Sequence, residues 1–186
     1  MVTGMALSKP YIIDEVSRMD EHAELINGEL VIRDSTSIEH NRITVKMARV
    51  IGNYIDSKNG NCEVFQENAA LFCNELNSEF NNDFYLPDIM VVCEPEGKIQ
   101  SNGVHAVPDF VAEVTSPSTR GTDYADKLYV YSKIGVREYW IIDLQNKSVV
   151  KYIRENRYIP EYHLHPQKIP VSIYNQELEI DFNGLL

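Results

Sequence analysis

Long apolar runs are missing from this chain. The longest, such as Ile89 to Cys93, are about five residues, against the roughly 20 needed to span a bilayer. The N-terminus places Asp14, Glu15, Arg18 and Asp20 where a signal peptide would need an apolar stretch. The expected location is therefore cytoplasmic. Cysteine is scarce and odd in number: Cys62, Cys73 and Cys93 show no CxxC pairing, which argues against a disulfide framework and a zinc site. Each lies in an apolar, strand-like segment and is expected to pack as a small buried hydrophobe. Positive charge is also short, with 17 Lys and Arg against 28 Asp and Glu and a formal net charge of −11. That balance repels a polyanion and counts against nucleic-acid binding. There is no P-loop, no GxGxxG, no GxSxG and no HExxH, so nucleotide-dependent and zinc-peptidase readings have no support.

What remains is a chain of ordinary globular composition, 44% hydrophobic and 24% charged over 186 residues, enough for one domain with a sizeable core. No internal repeat or low-complexity linker divides it. Residues 1–20 read as an N-terminal adapter with a short helix around Asp14 to Asp20, and residues 21–186 as a single domain. Asn27-Gly28 between the apolar-rich arms of Ala23 to Arg33 predicts a hairpin with a type I′ turn. Thr36 and Glu39 have capping-box spacing. Ile43, Met47, Val50, Ile51, Tyr54 and Ile55 then recur on one helical face to about Ser57.

Strand-like runs follow at Glu63 to Gln66, Ala69 to Cys73, Phe84 to Cys93 and Pro108 to Thr115. A helix from Thr122 to Ile134 ends at Gly135. Val136 to Leu144 and Ser148 to Ile153 are further strands, with short ones beyond Tyr158. This order predicts an α/β fold, a mixed sheet flanked by two main helices.

The chemistry concentrates between Leu86 and Asp143. Asp88 opens one apolar strand, and Glu113 lies inside another. By the two-residue period of a strand, Asp109, Val111, Glu113 and Thr115 face one side, and Phe110, Ala112 and Val114 the other. A carboxylate in so apolar a strand is expensive to bury unless it is paired or metal-bound. On the following helix Asp123, Lys127 and Tyr131 share a face, so Lys127 is the expected partner of Glu113. Two acids on neighbouring strands fit Mg²⁺, a hard cation with oxygen ligands, and a nearby lysine can orient water or stabilise developing negative charge.

These residues resemble a known family. Pro87-Asp88, Glu113-Val-Thr115 and Lys127 look like a variant of the PD-(D/E)xK nuclease pattern. More closely, the ordered set Glu24-Leu-Ile-Asn-Gly28, Ser37-x-x-His40, Pro87-Asp-Ile-Met-Val91, Pro108 to Ser118, Asp123-x-x-x-Lys127, Tyr131 and Gly135 to Asp143 resembles the Uma-two family of restriction endonucleases. The resemblance covers roughly Glu21 to the C-terminus.

It implies a restriction-endonuclease-like core, with an N-terminal hairpin and extra C-terminal strands, that cleaves DNA with Mg²⁺ (or Mn²⁺ in its place). Asp88 and Glu113 match the metal-binding acids. Thr115 stands where the general pattern has its lysine, and Lys127 is the matching lysine moved to the next helix. Glu24 and His40 match two further polar positions near the metal. The habits of related nucleases add a homodimer.

Each candidate also has a structural reading. Asp88 can cap a turn, Glu113 and Lys127 can form a structural salt bridge, Glu24 can be an exposed strand carboxylate, and His40 a packing or capping residue in a helix's first turn. Asp109 is expected at the strand's start, outside the core set. Arg42, Lys46 and Arg49 form a helical stripe able to track a phosphate backbone or simply to be solvated. The two functional hypotheses are accordingly a metal-dependent DNA endonuclease, whose DNA binding is weak or partner-assisted, and a catalytically silent nuclease-like interaction module. The retained Asp–Glu–Lys set favours the first.

Overall fold

The structure is a computed structural model, and it describes residues 12–19, 22–33, 36–80, 82–117 and 119–186. The first eleven residues of the expected adapter lie outside them. The helix expected there is one turn, Ile13–Val16, whose Val16 packs against Ala23, Leu25 and Phe84.

Two six-stranded sheets and a two-stranded ribbon carry the chain. The larger sheet runs Glu161–Leu164, Ser148–Ile153, Glu138–Asp143, Phe110–Thr115, Ile89–Cys93, Cys62–Gln66. Its centre, Phe110–Thr115 beside Glu138–Asp143, is parallel, and its other pairings are antiparallel. A parallel pair needs a crossover long enough to return the chain to the same edge. Here the crossover is the helical segment 120–134, which therefore lies across the Glu113 strand.

The smaller sheet begins with the hairpin Ala23–Ile26 and Glu29–Ile32, turned by Asn27 (φ 53°) and Gly28 (φ 76°), the two left-handed residues that a type I′ turn requires. The remaining four strands are short: Phe84–Tyr85, Leu71–Phe72, Gly103–Val104 and Ile99–Gln100. The single run expected from Phe84 to Cys93 is thus two strands in two sheets, separated at Leu86 to Asp88. Pro87 lacks the N–H a ladder needs, which accounts for the break.

Alternation along the central strands divides the core as expected. Met90, Val92, Val111, Tyr139 and Ile141 join one cluster with Val130 and Tyr131 of the crossover helix. Ile89, Val91, Phe110, Ala112, Trp140 and Ile142 join the other, with Ile43, Met47, Ile51 and Ile55 of the long helix Ile38–Ser57. That helix is capped one residue later than its spacing predicts: Ser37 Oγ accepts from the His40 N–H at 3.1 Å.

The cysteines correct the sequence reading. Cys73 is a buried free thiol, but Cys62 and Cys93 face each other across Cys62–Gln66 and Ile89–Cys93 and form a disulfide. No spacing rule reveals such a pair, because it depends on strand register. None of the described helices is long and apolar enough to cross a membrane. A bridge closing a loop of this size contributes about 2–4 kcal/mol. Urea titration with and without reductant should show that loss, and Cys62→Ser should show it without reductant.

Candidate active site

At the open end of the central strands lies a cleft of about 310 Å³, lined by His40, Glu67, Asp88, Glu113, Asp123 and Lys127, among others. Glu113 and Lys127 meet as expected: Lys127 Nζ donates to Glu113 Oε1 at 2.7 Å, and Tyr131 Oη donates to the same oxygen at 3.0 Å. All three side chains are buried. Asp123 lies 3.8 Å from Lys127 Nζ. The helix carrying them is not uniform. Arg120–Thr122 and Leu128–Ile134 are α-helical, whereas Asp123–Lys127 forms one π turn. Such wide turns recur at functional sites because they re-aim side chains, and this one carries both Asp123 and Lys127. Thr115, where the general pattern has lysine, contacts Ser116 and Thr119 and supplies no charge.

Glu24 is fully buried, not an exposed strand carboxylate. Its Oε1 accepts from the Leu86 N–H at 2.8 Å and lies 3.2 Å from Lys127 Nζ, and its Oε2 takes the Arg33 guanidinium. Arg33 was not singled out from the sequence, yet the hairpin contains the signal. Counting outward from Asn27-Gly28 pairs Glu24 with Val31 and puts Arg33 on the same face, diagonal to Glu24.

Asp88 sits where the ladder ends. Its Oδ2 accepts from the Val114 N–H at 2.7 Å and lies 3.0 Å from His40 Nε2. On the other side of the imidazole, His40 Nδ1 is 3.6 Å from Glu67 Oε1. Glu67 is the residue that sequence reading missed. It follows the strand Cys62–Gln66 directly, and its N–H reaches the Asp88 carbonyl at 3.3 Å. Only the register of that edge strand reveals this closeness. Asp109, left outside the set, is structural: it accepts from the Cys93 N–H at 2.9 Å and from Arg137 at 3.1 Å.

Charge does not balance here. Glu24, Glu67, Asp88, Glu113 and Asp123 outnumber Lys127 and Arg33, the permanent cations among them. Burial raises the Glu113 carboxyl to about 8; Lys127 opposes this, while Asp88, Asp123 and Glu24 add to it. Burial likewise raises Asp123. Burial also works against the charged form of Lys127, but Glu113 and Glu24 outweigh it and keep the amine protonated. For His40 too, burial is outweighed, by the Asp88 hydrogen bond and the Asp88 and Glu67 charges, so its pKa rises. Three buried atoms, His40 Nδ1, Glu67 Oε1 and Asp123 Oδ1, have no hydrogen-bond partner among the described residues. Such orphans are costly. His40, Glu67 and Asp88 each offer a ligand atom within 4.8 Å of the others. Excess negative charge and unsatisfied donor atoms of the right kind fit a divalent cation.

Comparison with known proteins gives the family and the fold. Residues 12–182 match the model of the Uma2 family, described as "Putative restriction endonuclease". The chain belongs to the Uma2 family. Two relatives from Synechocystis sp. (strain ATCC 27184 / PCC 6803 / Kazusa) are uncharacterized proteins. One, sll1609, is 30% identical over 146 residues, covering 77% of this chain and 78% of its own. The other, slr1290, is 29% identical over 115 residues, covering 62% and 56%. A crystal structure of "a putative nuclease belonging to DUF820" from Anabaena variabilis ATCC 29413 superposes with a TM-score of 0.73 at 21% identity, over 95% of this chain and 97% of that one. At that identity the likeness establishes the fold, which is α/β and nuclease-like.

Two outcomes follow from the buried charges. Lys127→Ala leaves Glu113 and Glu24 without their shared cation and should cost about 3–5 kcal/mol in chemical denaturation. Glu113 binds its proton more tightly folded than unfolded, so in metal-free buffer its contribution to stability is full below the ordinary pKa of 4.5 and is lost as pH rises through about 8. Glu113→Gln should remove that part of the slope in a pH series of unfolding free energies.

Proposed function

We propose that this Uma2 protein is a divalent-cation-dependent DNA endonuclease, with residues 21–186 acting as one catalytic unit. The observation that carries the reading is the buried Lys127 ammonium on Glu113 Oε1 at 2.7 Å, beside a cleft that Asp88 and Glu113 both line. The family description and the nuclease-like fold support it. Asp88 and Glu113 would hold the cation, Mg²⁺ or Mn²⁺, which supplies positive charge at a phosphodiester and lowers the pKa of water beside it.

The protein's own groups do the rest. Lys127 is held protonated, so it acts as a fixed positive charge that orients water and stabilises negative charge on the phosphoryl oxygens. Glu24 fixes the lysine from behind, with both of its oxygens engaged by Lys127, Leu86 and Arg33. It is a positioning residue. His40 sets the orientation of the Asp88 carboxylate through the 3.0 Å contact.

DNA as substrate must overcome a net charge of −11. Arg42 and Arg49 are exposed on the long helix with Lys46 between them, and they offer a stripe for the phosphate backbone. Binding is accordingly weak and salt-sensitive, and a dimer or partner that adds positive charge would strengthen it. The cytoplasm is the location that suits such a substrate. There the Cys62–Cys93 pair would be held reduced.

The test is plasmid nicking in Mg²⁺ or Mn²⁺. Wild type should convert supercoiled plasmid to open circle, and Asp88→Asn and Glu113→Gln should each slow this by at least about a hundredfold, the scale of losing one electrostatic element of a site. If wild type nicks nothing under either cation, with or without added low-salt buffer, the silent interaction module takes the place of the enzyme.

A further inference from the structure

The proposed nuclease chemistry uses His40 only to orient Asp88, and it leaves Glu67, on the far side of the imidazole, without a role. Asp88 Oδ2, already anchored by the Val114 N–H, lies 3.0 Å from His40 Nε2. A neutral imidazole that donates its Nε2–H to Asp88 has a bare lone pair at Nδ1. That lone pair faces Glu67 Oε1 at 3.6 Å. At that separation the two atoms make no hydrogen bond to each other, and neither has another hydrogen-bond partner among the described residues. His40 is only 7% exposed, so solvent does not readily fill the gap.

We propose that His40 Nδ1 and Glu67 Oε1, with Asp88 alongside, form a second cation position that prefers Mn²⁺ and similar transition metals to Mg²⁺. The distances allow it. Metal bonds to imidazole nitrogen and carboxylate oxygen are about 2.0–2.2 Å, so one ion reaches two atoms 3.6 Å apart. A carboxylate that accepts the far N–H of a ligating histidine, as Asp88 does here, is the usual device for fixing the ring and raising its basicity. The preference follows from the donor set. Mg²⁺ takes oxygen ligands and retains its waters, whereas first-row transition metals accept an imidazole nitrogen beside a carboxylate, Mn²⁺ the most weakly of them and Zn²⁺ more strongly. Glu113 is poorly placed to join this position, because its Oε1 already accepts from Lys127 and Tyr131.

This position refines the metal dependence of the nuclease reading but stands on its own geometry. The experiment is electron paramagnetic resonance of Mn²⁺ titrated into the full chain, with Mg²⁺ as competitor, on wild type, Glu67→Gln, His40→Gln and Glu113→Gln. Glu67 sits in a turn with its side chain 28% exposed, so its substitution leaves the core intact.

Wild type should bind Mn²⁺ more tightly than Mg²⁺. Its spectrum should show nitrogen modulation from the imidazole. Glu67→Gln should lose at least about tenfold in Mn²⁺ affinity, and His40→Gln should lose the nitrogen signal. Glu113→Gln should keep the nitrogen signal and the part of Mn²⁺ binding that depends on Glu67. Unchanged Mn²⁺ affinity in Glu67→Gln, or no nitrogen signal in wild type, would overturn the proposal. If Glu113→Gln alone abolished Mn²⁺ binding, this position would fall and the Asp88–Glu113 pair would stand. Retained Mn²⁺ binding with no plasmid nicking would do the reverse.

Discussion

The Lys127–Glu113 contact is the constraint on which the rest of the site depends. A carboxylate inside a fully buried strand needs a partner, and the partner has to come from outside the sheet. The parallel pairing of Phe110–Thr115 with Glu138–Asp143 forces a crossover. The crossover lays a helix over Glu113, and one π turn presents Asp123 and Lys127 on it. Glu24 and Arg33, delivered by the hairpin, then enclose the lysine. The contacts that hold two sheets and a helix together are thereby the contacts that shape the cleft.

A single lysine cannot neutralise what surrounds it. With Asp88, Asp123 and Glu24 raising the cost of ionising Glu113, the folded site favours the protonated carboxyl, and the proposed cation would compete with that proton. On the proposed function, the acid excess that weakens the folded state is the same feature that would draw in a divalent ion. Buried ion pairs are in general poor sources of stability, and this one stands among an excess of acids.

Much of this was legible in the sequence, for particular reasons. Asn27-Gly28 fixed the hairpin because its turn type demands two left-handed residues. The alternation around Glu113 separated the two core clusters, and the four-residue spacing of Asp123, Lys127 and Tyr131 placed them on one face. Local periodicity is enough for such inferences. What escaped depends on register between distant strands. Glu67 approaches Asp88 only because the Cys62–Gln66 strand pairs with Ile89–Cys93, and the Cys62–Cys93 bridge is the other end of that same pairing. The division of Phe84 to Cys93 between two sheets and the π turn also arise from tertiary geometry, with no local pattern to announce them. The family resemblance on Glu24, His40, Asp88, Glu113 and Lys127 pointed to residues that the structure brings close together, but not to which of them pair with one another.

The central claim, that a divalent cation answers the buried carboxylate excess, is tested most directly by thermal unfolding at pH 8 across a series of Mg²⁺ and Mn²⁺ concentrations. A cation that binds only the folded chain raises the melting temperature progressively, adding about 2.7 kcal/mol at a hundred times its dissociation constant. The account predicts that rise for wild type and a much smaller one for Asp88→Asn, since Asp88 borders both proposed cation positions. A melting temperature indifferent to both cations would contradict it.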